Sequence, residues 1–425
     1  MIKKLGHHWF FILLIIALGI YLSAKAIPEN SWDGWRVGSA QTLLSNKHWI
    51  ENGFLNNYFL FIPQGYSKVI HYFDDPELRQ HSRGVATGGF IGKRLYYTHY
   101  PSGYLLPTAL LMKLGIEQRF WFRFLEILFS LAGLVFLYWL FNFISKSRAI
   151  AFLGTFYFGA SILFLDYADS LASQPIEEFL RPFIIILSVL ALKYGKKYLK
   201  YLIWILYFVL AFSSYDSTFF IFAWLIGIDL IQKRMDGSTS LTIQKWLFWA
   251  SAPILAFAVQ LFQNTLYLGW YNMLLDLYGT FKVQMIGSRS GFFASHLKRL
   301  IEPFDWFFGV KWYFGILISL SGIAAVKFIK KYLPDETFDI RFLYLVFGAT
   351  LSHFLLFPSL FFHQSRVVSV FGGLLIGILT VLPIKILFQK ESKMNVKIIL
   401  AIIFIIVLSL WSVQIKRTYA YVKNW

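Results

Sequence analysis

The sequence predicts an all-α polytopic membrane protein, threaded through the bilayer by about eleven helices (about 10–13), with surface or re-entrant helices in its first external loop. Three observations carry that prediction. Of the 425 residues, 57% are hydrophobic and only 15% are charged, against about 45–50% and about 25% in an ordinary soluble domain. Apolar runs of spanning length recur from end to end and leave no polar stretch large enough for a separate soluble core. The basic residues gather in alternate gaps between those runs, as consistent threading requires. Residues 1–425 are therefore expected to form a single transmembrane domain with two sizeable external loops, 27–118 and 269–310.

The chain opens with Met-Ile-Lys-Lys and an apolar run from His8 to Ala26. This start has the charge and hydrophobicity of a signal peptide, but the run is longer than a usual hydrophobic core and residues 24–30 make a poor cleavage site. It is expected to remain as the first span, with Lys3 and Lys4 holding the N-terminus in the cytoplasm. The next strongly basic gap, Lys146 to Arg148, follows an apolar run over about 120–144. Both gaps are cytoplasmic only if two crossings lie between them. The stretch from Pro101 to Leu114, too short to span, is therefore expected to be a surface or re-entrant helix.

Spans over about 149–165 and 176–192 run out to Asp166 and back to Lys193, Lys196, Lys197 and Lys200. Those over about 201–214 and 217–231 run out to Asp216 and back to Lys233 and Arg234. Spans over about 246–268 and 311–326 bracket the second loop and return to Lys327, Lys330 and Lys331. The last three, about 341–360, 367–388 and 396–414, exit near His363, return to Lys390 and Lys393, and leave the C-terminus outside. Within the first loop, Gly34 to Trp49 predicts an amphipathic helix whose Trp35, Val37, Ala40, Leu43, Leu44 and Trp49 lie along the membrane surface. The richness in Lys, Ile and Phe points to a bacterial inner membrane.

Composition also excludes function classes. The net charge of +18 and isoelectric point of about 9.7 would suggest nucleic acid in a soluble chain. Here the Lys and Arg sit in short gaps between apolar runs, so their partners are anionic lipid headgroups and no nucleic acid is expected. With no cysteine, disulfides, thiolate metal sites and cysteine nucleophiles are excluded. No Asp-x-Asp pair or His cluster calls for a metal, and no cofactor is expected.

The threading places Asp33, Asp166, Asp169, Glu177, Glu178 and Asp216 together on the external face. Ionisable groups at membrane depth are costly and usually functional. Each also has a structural reading. Asp33 fits a helix cap, and Asp166 and Asp169 fit solvated helix ends. Glu177 and Glu178, just after Pro175, fit the positive end of a helix dipole. His99 fits an interfacial hydrogen-bonded histidine, and Arg366 a headgroup anchor.

Three segments carry a family resemblance. Ser31-Trp32-Asp33-Gly34-Trp35-Arg36 follows the first span directly. Tyr97-Thr98-His99-Tyr100-Pro101-Ser102-Gly103-Tyr104-Leu105-Leu106-Pro107 lies later in the same loop, and Leu165-Asp166-Tyr167-Ala168-Asp169 precedes Glu177-Glu178. In this order they resemble the C-type membrane glycosyltransferases, relatives of protein O-mannosyltransferases and of aminoarabinose transferase. Where the family often has Asp-Glu after span 1, this chain has Asp33 and Gly34. Its "His-Pro-Pro-Leu" helix is matched with a Tyr after the His and one proline missing. His363-Gln364-Ser365-Arg366 is similar to the family's basic residue beside the lipid phosphate.

The resemblance implies an inverting transferase that moves a sugar from a polyprenyl-phosphate carrier to an acceptor on the external face. Asp33 would be the base that deprotonates the acceptor. Arg366, with Arg289 and Lys298 as alternates, would hold the departing phosphate. Asp166, Asp169 and Glu178 would be further acidic residues of the site, and His99 and Tyr100 would position donor or acceptor. The implied partners are a polyprenyl-phosphate-linked sugar, an acceptor and membrane lipids. A multi-span transporter or lipid flippase is the alternative, and a non-catalytic scaffold the third reading. Transporters tend to show inverted repeats and midplane charges; this chain shows no repeat and gathers its charges at one face.

Overall fold

A computed structural model describes residues 8–28, 36–61, 90–91, 94–96, 98, 100–215, 217–235, 243–274, 276–278, 339–356, 371–381, 384 and 394–423. The regular structure of the described chain is helical apart from one antiparallel pairing of Phe90–Ile91 with Arg94–Leu95. Three of its helices, Trp9–Ala26, Arg119–Ser145 and Ile243–Leu268, are long and apolar enough to cross a membrane, as expected of an integral membrane protein. The chain forms two compact units, Met1–Lys25 with Leu131–Ala168 and His296–Trp425, and Ala26–Ser130 with Asp169–Ser295.

The first unit holds α1 (Trp9–Ala26), the second half of α4 (Arg119–Ser145), α5 (Arg148–Gly159), α6 (Ile162–Tyr167), α11 (Ile340–Leu356), α12 (Phe371–Val381) and α13 (Met394–Lys423). The span expected over 149–165 is broken. Ser161 accepts a hydrogen bond from the Phe164 amide at 3.2 Å and so caps a new helix where a continuous one would have run on. Helix ends pair consistently. At one end Lys25 Nζ donates to the Leu165 carbonyl at 2.9 Å, Tyr421 donates to Asp166 at 2.6 Å, and Thr418 donates to the Ala160 carbonyl at 2.7 Å. At the start of α1, His8 Nδ1 lies 2.8 Å from the Tyr138 hydroxyl, and at the end of α4 the Asp339 amide donates to the Ile144 carbonyl at 3.1 Å.

Glycine lets two of these helices touch backbone to backbone. A Cβ on Gly377 would stand 2.6 Å from the Ile150 carbonyl oxygen, and one on Gly154 2.9 Å from that of Gly373. Gly373 and Gly377 are one turn apart, the small-xxx-small pattern by which helices pack where lipid supplies no hydrophobic drive.

The second unit holds α2 (Arg36–Asn52), α3 (Leu106–Lys113), the first half of α4, α7 (Gln174–Tyr194), α8 (Lys197–Ser213), α9 (Thr218–Met235) and α10 (Ile243–Leu268). α7 packs on α8 and α9, α8 on α10, and α2 on α3. α7 starts with Pro175 in its first turn and ends at Gly195, whose φ of 63° suits a residue without Cβ. The α7–α8 turn leaves Lys193, Lys196 and Lys197 exposed. The stretch expected to be a short surface helix is short indeed, a 3-10 turn at Gly103–Leu105 running into the eight residues of α3.

α2 forms where the amphipathic pattern places it but buries the opposite face. Ser39, Thr42, Ser45 and Asn46 are wholly buried, whereas Ala40 is exposed and Leu43 and Leu44 are half-buried. Of the predicted membrane-facing residues, Trp49 is fully buried and donates to the Leu60 carbonyl at 3.0 Å. The reason is the partner. The Ser39 hydroxyl accepts from the Leu171 amide at 2.9 Å and Thr42 donates to the Leu171 carbonyl at 2.6 Å. Both groups of one loop peptide residue are thus satisfied by the helix.

Candidate functional site

The segment Asp169–Ser173, between α6 and α7, is where the second unit gathers its polar groups. Its first residue meets Arg123 of α4. The Arg123 Nε donates to Asp169 Oδ2 at 3.1 Å, Nη2 donates to the same oxygen, and neither side chain is exposed. Its middle residue, Leu171, is clasped by α2. Its last, Ser173, opens a hydrogen-bonded chain through the head of α7.

In that chain Ser173 donates to Glu177 Oε1 at 2.8 Å, and Ser217, at the start of α9, donates to Glu177 Oε2 at 2.8 Å. The Arg181 Nε donates to Ser217 at 3.0 Å, and its Nη2 reaches Glu178 Oε1 at 3.4 Å and Glu177 Oε2 at 3.7 Å. The Tyr100 hydroxyl lies 2.9 Å from both Ser173 and Ser214. Glu177 and Arg181 are buried, while Glu178 and Tyr100 keep some exposure. A buried carboxylate with two hydroxyl donors and a guanidinium alongside has its charge compensated where it stands.

The backbone around Tyr100 is fixed from α10. Gln260 Nε2 donates to the Thr98 carbonyl at 3.1 Å and the Tyr100 carbonyl at 2.9 Å, and Asn264 Nδ2 donates to the Thr98 carbonyl at 2.9 Å. Tyr215 donates to Gln260 Oε1 at 2.7 Å, and burial raises its phenol pKa above the usual tyrosine value. Thr98 in turn donates to Asp276 at 2.6 Å. Gly103 holds the turn against α8, since a Cβ there would lie 2.5 Å from the Phe212 carbonyl oxygen.

Of the residues expected from sequence, Tyr100, Glu177 and Glu178 come together in this network. Asp169 is in the same unit but is engaged by Arg123. Asp166 belongs to the first unit, where Tyr421 donates to it. Asp33, His99, Asp216, Arg289, Lys298 and Arg366 lie outside the described residues. Sequence reasoning missed Arg123, Arg181, Ser173, Ser217, Asp276 and Gln260. Arg123 and Arg181 did leave a signal, a charge inside an apolar helical run; the serines, Asp276 and Gln260 left none, being ordinary loop and helix residues until the fold brings them together. Among the described residues there is no cluster of three or more His, Asp or Glu able to hold a metal.

Neither a protein-family model nor a curated protein sequence matches this chain.

Proposed function

We propose that the protein is a C-type membrane glycosyltransferase that moves a sugar from a polyprenyl-phosphate carrier to an acceptor hydroxyl on the external face of a bacterial inner membrane. About eleven spans carry it, with the N-terminus cytoplasmic and the C-terminus external. One observation supports this reading most. The loop Asp169–Ser173, which starts at the last residue of the third segment, bonds α2, which follows the first segment, and bonds Tyr100 of the second.

The chemistry divides among few groups. A sugar on a polyprenyl phosphate already has a good leaving group, so the enzyme needs a base for the acceptor and cations for the phosphate. With Asp169 committed to Arg123, and Glu177 to two serines, Asp33 keeps the base role in this reading. Arg366, with Arg289 or Lys298, keeps the phosphate, and His99 and Tyr100 position the reactants. The pairing of α1, α6 and α13 at their C-terminal ends agrees with threading that puts all three ends on one face.

The test is transfer from radiolabelled polyprenyl-phosphate sugars by the purified chain in lipid nanodiscs, parent against Asp33→Asn. Loss of about 10³-fold or more in the variant is expected for a general base. Transfer retained by Asp33→Asn removes Asp33 from the chemistry, and a parent inactive with every donor sugar removes the transferase reading.

A further inference from the structure

Two consecutive aromatic residues take a left-handed backbone in the turn that follows α2. After a 3-10 turn over Leu55–Asn57, Tyr58 has a φ of 53° and Phe59 one of 52°. Among the described residues, Lys146 is the one other non-glycine with a positive φ. That conformation crowds a Cβ, so it suits glycine or asparagine and disfavours a bulky aromatic. It persists here because the groups around it are fixed. Asn57, wholly buried, donates to the Gly53 carbonyl at 2.7 Å and the His48 carbonyl at 3.1 Å, and accepts from the Tyr96 hydroxyl at 3.0 Å. The Phe59 amide donates to the Phe54 carbonyl at 3.1 Å, Ser102 donates to the Phe59 carbonyl, and Trp49 donates to the Leu60 carbonyl. Strain over-determined in this way clusters at ligand clamps and active sites.

The two rings are used differently. Phe59 packs on Trp49 and Phe54, with ring centroids 5.9 and 5.6 Å away, and so completes a local core. Tyr58 leans on Tyr96 and Tyr267 at 5.7 and 5.6 Å and stays half-exposed, whereas those two are buried. Tyr267 lies on α10, one turn beyond the Asn264 that holds the Thr98 carbonyl. The stretches that meet here, 55–61, 100–104 and 260–267, contain no charged residue. Amides, phenols and ring faces suit a neutral ligand with C–H faces and hydroxyls, whereas a phosphate calls for cations. We propose that Tyr58 contacts the carrier-bound sugar, its ring against a C–H face and its hydroxyl against a sugar hydroxyl. Tyr96 and Tyr267 support the ring, and Asn57 holds the strained backbone. This inference rests on the transfer reading for the carrier that bears the sugar, and not for the contact itself.

Two measurements test it. In the first, donor KM, acceptor KM and melting temperature are measured for the parent, Tyr58→Phe, Tyr58→Asn and Phe59→Leu. Tyr58→Phe is expected to raise the donor KM about fivefold and Tyr58→Asn, which suits the left-handed turn, about 30-fold, with the acceptor KM changed less than about twofold. Phe59→Leu, which loosens the neighbouring core, lowers the melting temperature and leaves both KM values. An unchanged donor KM in Tyr58→Asn, an effect on the acceptor KM instead, or a donor KM raised alike by Phe59→Leu overturns the proposal. Should the Tyr58 variants fail to fold, the second measurement decides alone.

In the second, 3-fluorotyrosine at position 58 is followed by fluorine NMR in the otherwise unchanged chain, with polyprenyl-phosphate sugars or bare polyprenyl phosphate added to the nanodiscs. A sugar-bearing lipid is expected to move the resonance and the bare lipid to leave it. A resonance moved equally by the bare lipid, or by no lipid, overturns the sugar contact. Transfer without a shift thus removes Tyr58 and leaves the transfer reading. A shift without transfer removes that reading, while the sugar contact stands.

Discussion

Arg123 and Asp169 form an ion pair that water does not reach, with the guanidinium directing two donors to one carboxylate oxygen. The pair ties the first turns of a membrane-length helix to the loop on which α2 and Tyr100 are also held. It also removes Asp169 from any role as a free base, since its charge is balanced where it sits.

Breaking that pair one-sidedly leaves an uncompensated buried charge. Asp169→Ala is expected to lower stability by about 3–5 kcal/mol, and the double replacement Arg123→Met/Asp169→Leu by much less. Chemical unfolding in mild detergent, followed by tryptophan fluorescence, checks both. Equal losses in the two variants would show that packing and not charge dominates.

The contact of α5 with α12 depends on absent side chains. Gly373→Ala puts a Cβ into the Gly154 carbonyl and is expected to cost about 1–3 kcal/mol. Gly372→Ala, next in sequence, meets nothing within 4 Å and is expected to be neutral. Thermal unfolding of the two variants side by side tests this.

Gly103→Ala forces the turn after Tyr100 away from Phe212. Because Gln260 and Asn264 hold the preceding backbone at Thr98 and Tyr100, the displacement falls on the Tyr100 side chain. Transfer is expected to fall about 10²-fold through misplacement of positioning groups, while helix content stays unchanged by circular dichroism. Full activity in Gly103→Ala would detach this turn from the site.

Threading is open to direct chemical reading, because the chain has no cysteine. A cysteine at the exposed Ile27 is expected to react with a membrane-impermeant maleimide in intact spheroplasts. One at the exposed Lys197 is expected to react only after permeabilisation. Labelling of both under the same condition would put the proposed site and the basic turn in one compartment and end the external-face reading.

The sequence by itself determined the apolar, helical character of the chain and where several of its helices begin and end. Apolar length, alternating basic gaps and Pro and Gly punctuation are local properties that any fold of this chain must obey. That is why Pro175 and Gly195 bound α7 and why the stretch after Pro101 yields only a short helix. Only the tertiary structure decided which face α2 buries, which carboxylates are already engaged, and that Ser173, Ser217 and Arg181 converge on Glu177. Hydropathy asks whether a side chain prefers water, whereas a buried serine or threonine is stabilised by one peptide group or carboxylate contributed from another part of the chain. For Ser39 and Thr42 that partner is Leu171, more than a hundred residues away, and a pairing of that kind exists only once the chain has folded.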